Sequence, residues 1–248
     1  MLTPLRQAGL HNLTIVRVTL LLTTGHVNIA GMTTPTPPKP RRGRAYRGVS
    51  IEARRAERHQ KLLVAGIQVI GSQGYHATTV KAVCAEAGLT ERYFYESFSN
   101  SEALLCEAYA HIIGQLRERI GTSLSAHQAQ PDTLIEAALN SYFTYLRDHP
   151  GHARLMMVEV LGVSPTVDQH YRRVMEDFAE FLAVTRRGLY PAQDTQVVDE
   201  MMIATGLIGA LVNMAMRWML SDFRESPERV VAAARTVLLA VNRHLLEG

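Results

Sequence analysis

Residues 77–98 bring together several side chains that donate hydrogen bonds. Thr79, Thr90, Arg92 and Tyr95 carry hydroxyl or guanidinium groups within this stretch. Such donors bond to phosphate oxygens and to the edges of nucleobases, and an arginine reaches a guanine edge through two parallel hydrogen bonds. That chemistry requires donors that share one exposed surface, which the local secondary structure must provide.

The stretch has the pattern of two short helices joined by a turn. Thr78 or Thr79 is placed to cap the first helix, and Gly88 ends it because the turn favours a residue with positive φ. Thr90 is placed to cap the second helix. Two short helices around a glycine-containing turn form a helix-turn-helix.

The second helix of this pair has an inward and an outward side. Phe94 and Phe98 lie four residues apart and are predicted to face inward, so the polar residues between them face outward. One helix fits the major groove of double-stranded DNA, and Arg92 is the best candidate to read a base there. The alternative for Tyr93 and Tyr95 is ordinary packing between helices. The predicted DNA-binding residues of this region are Thr78, Thr79, Lys81, Thr90, Glu91, Arg92, Tyr93, Tyr95 and Ser97.

A strongly basic window precedes the motif. Residues 39–61 hold nine lysines and arginines against two glutamates, a formal charge of +7 in a chain whose net charge is +3. Charge concentrated at one end is typical of proteins that bind a polyanion, and basic N-terminal arms lie in the minor groove of DNA. A solvated linker without a partner is the alternative. The arm residues predicted to bind DNA are Arg41, Arg42, Arg44 and Arg47.

The run from Ala77 to Leu105 resembles the DNA-binding segment of the tetracycline-repressor-like (TetR) family. The resemblance implies that Thr79, Thr90 and Tyr95 contact DNA phosphates, and that the positions of Arg92 and Tyr93 read bases. The residues that carry it are Thr78, Thr79, Val80, Ala87, Gly88, Leu89, Thr90, Phe94, Tyr95, Phe98, Glu102, Leu104 and Leu105.

Two positions depart from the family pattern. Ser97 stands where the family usually has a histidine, and Ser101 stands where it usually has a lysine that reaches the DNA backbone. Each departure removes a donor or a positive charge. The basic arm is placed to offset this loss by lying in the minor groove.

The rest of the chain predicts helices. Residues 33–44 are rich in proline and form an extended arm, whereas the chain beyond them has helical period and no strand-like alternation of useful length. Helix starts are predicted at Ser99 with Glu102, at Pro131, at Ser164-Pro165 and at Ser226-Pro227. We therefore predict an all-α fold. Its domains are a disordered extension and arm at 1–47, a three-helix helix-turn-helix domain at 48–98 and a larger effector-binding and dimerisation domain at 99–248.

The rear domain carries bulky apolar residues on helices with few charges. Methionine and aromatic side chains form adaptable walls for apolar ligands, although helical core packing is the alternative for each one. The resemblance to the family favours an effector pocket among these helices. The predicted ligand-binding residues are Tyr142, Met156, Met157, Phe178, Met201, Asn213 and Trp218.

Other classes of protein find little support. Cys84 and Cys106 lack the spacing of a metal site, which favours a reducing cytoplasmic compartment. The apolar run near the N-terminus is interrupted by Arg17 and His26 and is too short to span a bilayer. Catalytic motifs such as HExxH and GxSxG do not occur, so no enzyme activity, metal or cofactor is expected.

These observations predict a homodimeric transcriptional regulator. The apolar faces of 195–219 and 227–247 suit a four-helix bundle across a two-fold axis, which requires a near-palindromic operator. Family resemblance favours a repressor that a hydrophobic small molecule releases from DNA. The alternative is a helical protein that sequesters a hydrophobic compound and whose DNA binding is vestigial.

Overall fold

The computed structural model describes residues 50–126, 131–189 and 199–247, and every regular element within these ranges is a helix. The all-α prediction is thereby confirmed for the described part of the chain. The helices are α1 (Ile51–Gln73), α2 (Val80–Ala87), α3 (Glu91–Ser97), α4 (Ser101–Ala126), α5 (Pro131–Asp148), α6 (Pro150–Arg154), α7 (Pro165–Leu189), α8 (Glu200–Leu220) and α9 (Pro227–Glu247), with a π-helical turn at Leu155–Glu159 between α6 and α7.

The first three helices form because local chemistry fixes their ends. The Ser50 hydroxyl accepts a hydrogen bond from the Ala53 amide at 3.0 Å and so caps α1, while Gly74 ends it with φ of 88°. Gly88 ends α2 in the left-handed conformation with φ of 64°, and the Leu89 amide donates to the Cys84 carbonyl at 2.9 Å. The predicted turn at Gly88 is confirmed.

The helix start predicted at Ser99 was wrong. Helix α4 begins at Ser101, and the Asn100 side chain caps it by accepting from the Ala103 amide at 2.8 Å. Glu102 is therefore free for another role, and its carboxylate accepts a hydrogen bond from the Ser164 hydroxyl at 2.9 Å. That bond joins the start of α4 to the start of α7.

The rear helices run back and forth from the helix-turn-helix end. Helices α4 and α7 both begin there, as the Glu102–Ser164 bond shows. At the opposite end Arg186, near the end of α7, donates to Glu200 at the start of α8 at 2.6 Å. Helix α8 therefore returns, antiparallel to α7, toward the helix-turn-helix. We call the two ends of the rear bundle proximal and distal to the DNA-binding helices.

A single buried core connects the two parts of the chain. It runs from Leu62 and Phe94 in the front helices through Leu104 and Phe143 to Trp218 in α8. The domain limits drawn at residues 48–98 and 99–248 stay a prediction, because this core crosses them.

Helix α8 leaves much of its apolar surface uncovered by its own chain. Within the described residues it is long and apolar enough to cross a membrane, judged by length and composition alone. Three of its residues are buried, Ala204, Ala215 and Trp218, while the side chains of Met202 and Leu220 are 68% and 70% exposed. Exposed apolar surface of this kind is typical of protein–protein interfaces.

Candidate DNA-binding and effector sites

The two threonines that precede α2 and α3 have different surroundings. The Thr79 hydroxyl accepts from the Ala82 amide at 3.1 Å and caps α2, whereas the exposed Thr90 makes no side-chain cap bond to α3. Thr78 donates its hydroxyl proton to the Gly74 carbonyl at 2.7 Å, so that hydroxyl serves the fold. Thr90 is therefore the threonine whose hydroxyl remains available to a phosphate.

Helix α3 buries one side and exposes the other. Phe94 and Phe98 are buried against the front core, which confirms the predicted inward face. The Arg92 side chain is 84% exposed and Tyr95 is 60% exposed, so both stand on the outer side with Thr90. We call Thr90, Arg92 and Tyr95 the recognition ridge. Its side chains are exposed to solvent, as contact with a groove of duplex DNA requires.

Neighbouring side chains hold the recognition ridge in place. Arg55 on α1 donates to the Glu96 carbonyl at 3.1 Å, which fixes the end of α3. The Arg92 guanidinium is paired with Glu96 at 3.0 Å across one helical turn. Both members of that pair are solvent-exposed, so Arg92 can exchange it for a DNA contact at little cost.

The other predicted contacts differ in their exposure. Lys81 and Glu91 are exposed, while Tyr93 and Ser97 are half-buried. The Arg58 guanidinium lies 4.4 Å from the centroid of the Tyr93 ring, which is the interhelical packing that was the alternative for this tyrosine. The predicted arm residues Arg41, Arg42, Arg44 and Arg47 lie outside the described residues.

A narrow apolar cavity of about 200 Å³ lies inside the rear bundle. Its walls come from α4, α5, the π-helical turn, α7, α8 and α9. Tyr171 and Arg186 line its proximal and distal parts and are fifteen residues apart on α7, which corresponds to about 22 Å along the helix axis. The lining of the cavity therefore extends over most of the length of α7.

Four of the predicted ligand-binding residues line this cavity and three do not. Those on its wall are Tyr142, Met156, Met157 and Phe178. Trp218 is buried instead against Phe143, with its indole nitrogen donating to the Glu225 carbonyl at 2.9 Å. Met201 and Asn213 lie on α8 with their side chains exposed. The ligand-binding role of these three stays a prediction, and their positions outside the cavity lining do not support it.

The distal end of the cavity is polar. Arg186 donates to Glu200 through Nη1, while its Nε and Nη2 are buried and have no hydrogen-bond partner among the described residues. The Oδ1 atom of Asn242 is also buried and has no hydrogen-bond partner among the described residues. Arg186, Glu200 and Asn242 all line the cavity. Buried donors and acceptors without partners are costly, which favours a polar ligand group at this end.

The proximal end carries three tyrosines from three helices. Tyr109 on α4, Tyr142 on α5 and Tyr171 on α7 all line the cavity, and the rings of Tyr109 and Tyr171 are 6.3 Å apart. Burial raises the pKa of Tyr109 and of Tyr142 well above the ordinary value, and the neighbouring Tyr171 adds to both shifts. The phenols are therefore neutral hydrogen-bond donors.

Sequence reasoning missed Tyr109, Tyr171 and Arg186. A signal existed on α7, because Tyr171, Met175, Phe178, Leu182 and Arg186 recur every three or four residues along one stripe. A tyrosine and an arginine inside an otherwise apolar stripe indicate a lined cavity better than a methionine does. Tyr109 gave no such signal, since α4 buries residues on several sides.

The cavity meets the DNA-binding helices through α6 and the π-helical turn. Met156 and Met157 of that turn form part of the cavity wall. Glu159, at the end of the turn, accepts from the Tyr75 amide at 2.7 Å, and Arg154 donates to the Ser72 carbonyl at 3.1 Å. Single π-turns inside helices occur frequently at functional sites. These two bonds join the turn and α6 to the end of α1.

A histidine and tyrosine network lies beside this junction. The Tyr145 hydroxyl donates to Oε1 of Gln115 at 3.1 Å and lies 2.9 Å from Nδ1 of His152. The His149 and His152 rings stack with centroids 5.0 Å apart. Burial, with the charges of His149 and His111, lowers the pKa of His152 to about 4. Within the described residues, no group of histidine, cysteine or acidic side chains could hold a metal ion.

Comparison with known proteins agrees with the geometry of the front helices. The family model for bacterial regulatory proteins of the tetR family matches residues 62–108, which span most of α1, the helix-turn-helix and the start of α4. The resemblance to the TetR family that the motif indicated is confirmed over these residues.

Three similar proteins match a larger part of the chain than the family model does. The transcriptional regulator YerO of Bacillus subtilis is 21% identical over 161 residues, which span 64% of this chain and 56% of that protein. The transcriptional activator FasR of Mycolicibacterium smegmatis is 24% identical over 68% of this chain and 75% of its own length. The crystal structure of Bacillus subtilis FadR in complex with stearoyl-CoA superposes with a TM-score of 0.64 at 18% identity, covering 73% of this chain and 97% of that one. Identity at that level shows a shared fold.

Proposed function

We propose that this chain is a cytoplasmic, homodimeric transcriptional repressor that a long acyl chain releases from its operator. The observation that carries the proposal is the direct connection between the cavity and the DNA-binding helices. The same π-helical turn supplies Met156 and Met157 to the cavity wall and Glu159 to the Tyr75 amide.

The free face of α8 supports the dimer. Its exposed apolar residues suit a two-fold interface in which a second copy packs against the same face, whereas the apolar stripe of α9 is largely covered by its own chain. Such a two-fold dimer presents two recognition ridges to a near-palindromic operator. Successive major grooves on one side of the duplex are about 34–36 Å apart, so the ridges must match that spacing or a multiple of it.

The shape of the cavity supports an acyl ligand. The FadR crystal structure contains stearoyl-CoA, and the cavity of this chain is narrow and apolar between its two polar ends. Arg186, with two buried nitrogens that lack partners among the described residues, suits the head group at the distal end. The acyl chain then extends toward Met156 and Met157 at the proximal end.

Release from DNA requires that the ligand bind more tightly to a conformation in which the spacing between the dimer's two recognition ridges does not match the operator. A chain that fills the cavity presses on the π-helical turn, and the bonds of Glu159 and Arg154 carry the shift to α1. Operator affinity then falls by the ratio of the ligand affinities for the two conformations. We infer repression because the ligand is expected to remove the protein from DNA. The similar protein FasR is named an activator, so the comparisons do not favour one direction of regulation.

A mobility-shift titration on the DNA upstream of the gene tests the proposal. The dimer is expected to bind one near-palindromic site, to bind less tightly as salt rises, and to leave the site when stearoyl-CoA is added. Replacing both Arg92 and Tyr95 by alanine removes DNA binding and leaves acyl-chain binding intact. Acyl-chain binding by a protein without any operator in its genome would instead support the sequestering alternative.

A further inference from the structure

We propose that the effector carries a neutral oxygen, a hydroxyl or a keto group, at the end of its chain remote from the head group, and that Tyr109 recognises this oxygen. The inference rests on the proposed function, because it names the class of acyl ligand that the same cavity accepts.

The Tyr109 hydroxyl is the first observation. The residue is 2% exposed and lines the proximal end of the cavity, yet its hydroxyl has no hydrogen-bond partner among the described residues. A buried phenol without a partner destabilises the fold, and a phenylalanine would fill the same volume without that cost. A plain hydrocarbon chain leaves the hydroxyl unsatisfied, whereas an oxygen on the chain accepts its proton.

The second observation is that other tyrosine rings lie near Tyr109. The Tyr171 ring lies 6.3 Å from the Tyr109 ring with the two rings tilted by 33°, and Tyr142 lines the same cavity from α5. Three phenols from three helices therefore lie near one another in the proximal, apolar part of the wall. Each is kept protonated by burial, which raises its pKa. Neutral donors gathered in this way suit an acceptor oxygen.

The charges nearby exclude an anionic oxygen. Arg117 is the cation that acts on Tyr109, but its Nη2 is already paired with Asp177 at 3.0 Å and its guanidinium lies over the Phe178 ring. A carboxylate at the proximal end would lose its hydration without gaining a free cation. The charged head group therefore stays at the distal end beside Arg186, and the proximal oxygen is uncharged.

Matched ligands test this inference. Binding of palmitoyl-CoA and stearoyl-CoA is compared with that of their ω-hydroxy derivatives by calorimetry on the full chain. The wild type is expected to bind the better-fitting ω-hydroxy ligand about tenfold more tightly than its plain counterpart. Tyr109→Phe is expected to abolish the preference while keeping the affinity for the plain chain. Tyr145→Phe is the matched control, because its hydroxyl bonds to Gln115 outside the cavity.

The outcomes separate this inference from the proposed function. Equal affinity for plain and hydroxylated chains in the wild type, or an undiminished preference in Tyr109→Phe, overturns the inference and leaves an acyl-chain effector in place. Failure of all four thioesters to bind overturns the acyl ligand itself and the inference with it. Loss of all binding in Tyr109→Phe, with its helical signal unchanged, would show a packing role and would also overturn recognition of an oxygen.

Discussion

Gly71 of α1 lies so close to Gly151 of α6 that a Cβ added to Gly71 would stand 2.9 Å from the Gly151 Cα and carbonyl oxygen. Carbon atoms in native packing do not approach backbone this closely. The two glycines therefore allow the junction between the DNA-binding helices and the cavity to close at backbone distance. The contact is asymmetric, because a Cβ on Gly151 meets the Gly71 Cα at 3.6 Å, which is ordinary van der Waals contact.

Gly71→Ala is expected to force α1 and α6 apart and to lower the free energy of unfolding by about 1–3 kcal/mol. Operator affinity should fall as well, since the spacing of the recognition ridges follows α1. Urea denaturation and a mobility shift measure the two effects. Gly151→Ala is the matched control and should leave both nearly unchanged. Equal behaviour of the two variants would mean that the backbone contact does not set the junction.

The two cap threonines should respond differently to the same substitution. Thr79→Ala removes the bond to the Ala82 amide and is expected to lower the free energy of unfolding by about 1 kcal/mol. Thr90→Ala removes no cap bond, so the thermal midpoint should stay while operator affinity falls. Calorimetric unfolding and DNA titration together separate the roles. A destabilised Thr90→Ala would contradict its assignment to a phosphate.

Arg92→Ala is expected to weaken binding to the preferred operator by about 1–3 kcal/mol and to reduce discrimination between base pairs at one position of each half-site. Loss of the exposed pair with Glu96 contributes little to stability. Selection of bound sequences from random DNA, with wild type and variant, measures the discrimination. Arg172→Ala, at an exposed position on α7, is the control that removes the same charge away from the ridge. An unchanged sequence preference in Arg92→Ala would remove its role as base reader.

The front of the molecule was predictable because its signals are local. The cap at Thr79 and the positive φ at Gly88 depend on neighbours within a few residues, so the helix-turn-helix could be drawn from the sequence. The start of α4 was misplaced by one residue because Ser99 and Asn100 are both good cap residues and stand side by side. Local chemistry does not rank two caps that compete for one helix start.

The cavity of the rear bundle was harder to predict, because the contacts that form it join residues far apart in sequence. Met156 and Phe178 were found as bulky residues on helices, yet Met201 and Trp218 satisfied the same criterion and lie elsewhere. Helix α8 is apolar nearly all round, so its sequence does not show which side meets the cavity and which is free. The π-helical turn at Leu155–Glu159 has no sequence signature that distinguishes it from ordinary helix.

A larger side chain inside the cavity should block the effector. Leu207→Trp places an indole on the cavity wall and is expected to abolish binding of stearoyl-CoA and its effect on the operator complex, while operator binding persists. Ligand titration by calorimetry measures the loss. Leu220→Trp makes the same change on the same helix outside the cavity, where the side chain is 70% exposed, and should bind the thioester as the wild type does. Normal binding by Leu207→Trp would place the effector site elsewhere.

The half-buried His152 should make the stability of the fold depend on pH. Its pKa is lowered from 6.5 to about 4, chiefly by burial, with His149 and His111 adding repulsion. The unfolded chain therefore binds more protons than the folded one between these two values, so the free energy of unfolding falls as the pH falls from about 6.5 toward 4. His152→Asn cannot titrate and should lose less stability over this window than the wild type does. Urea midpoints at several pH values, with the exposed His244→Asn as control, measure the difference. Parallel pH profiles for wild type and His152→Asn would show that this histidine is not the group responsible.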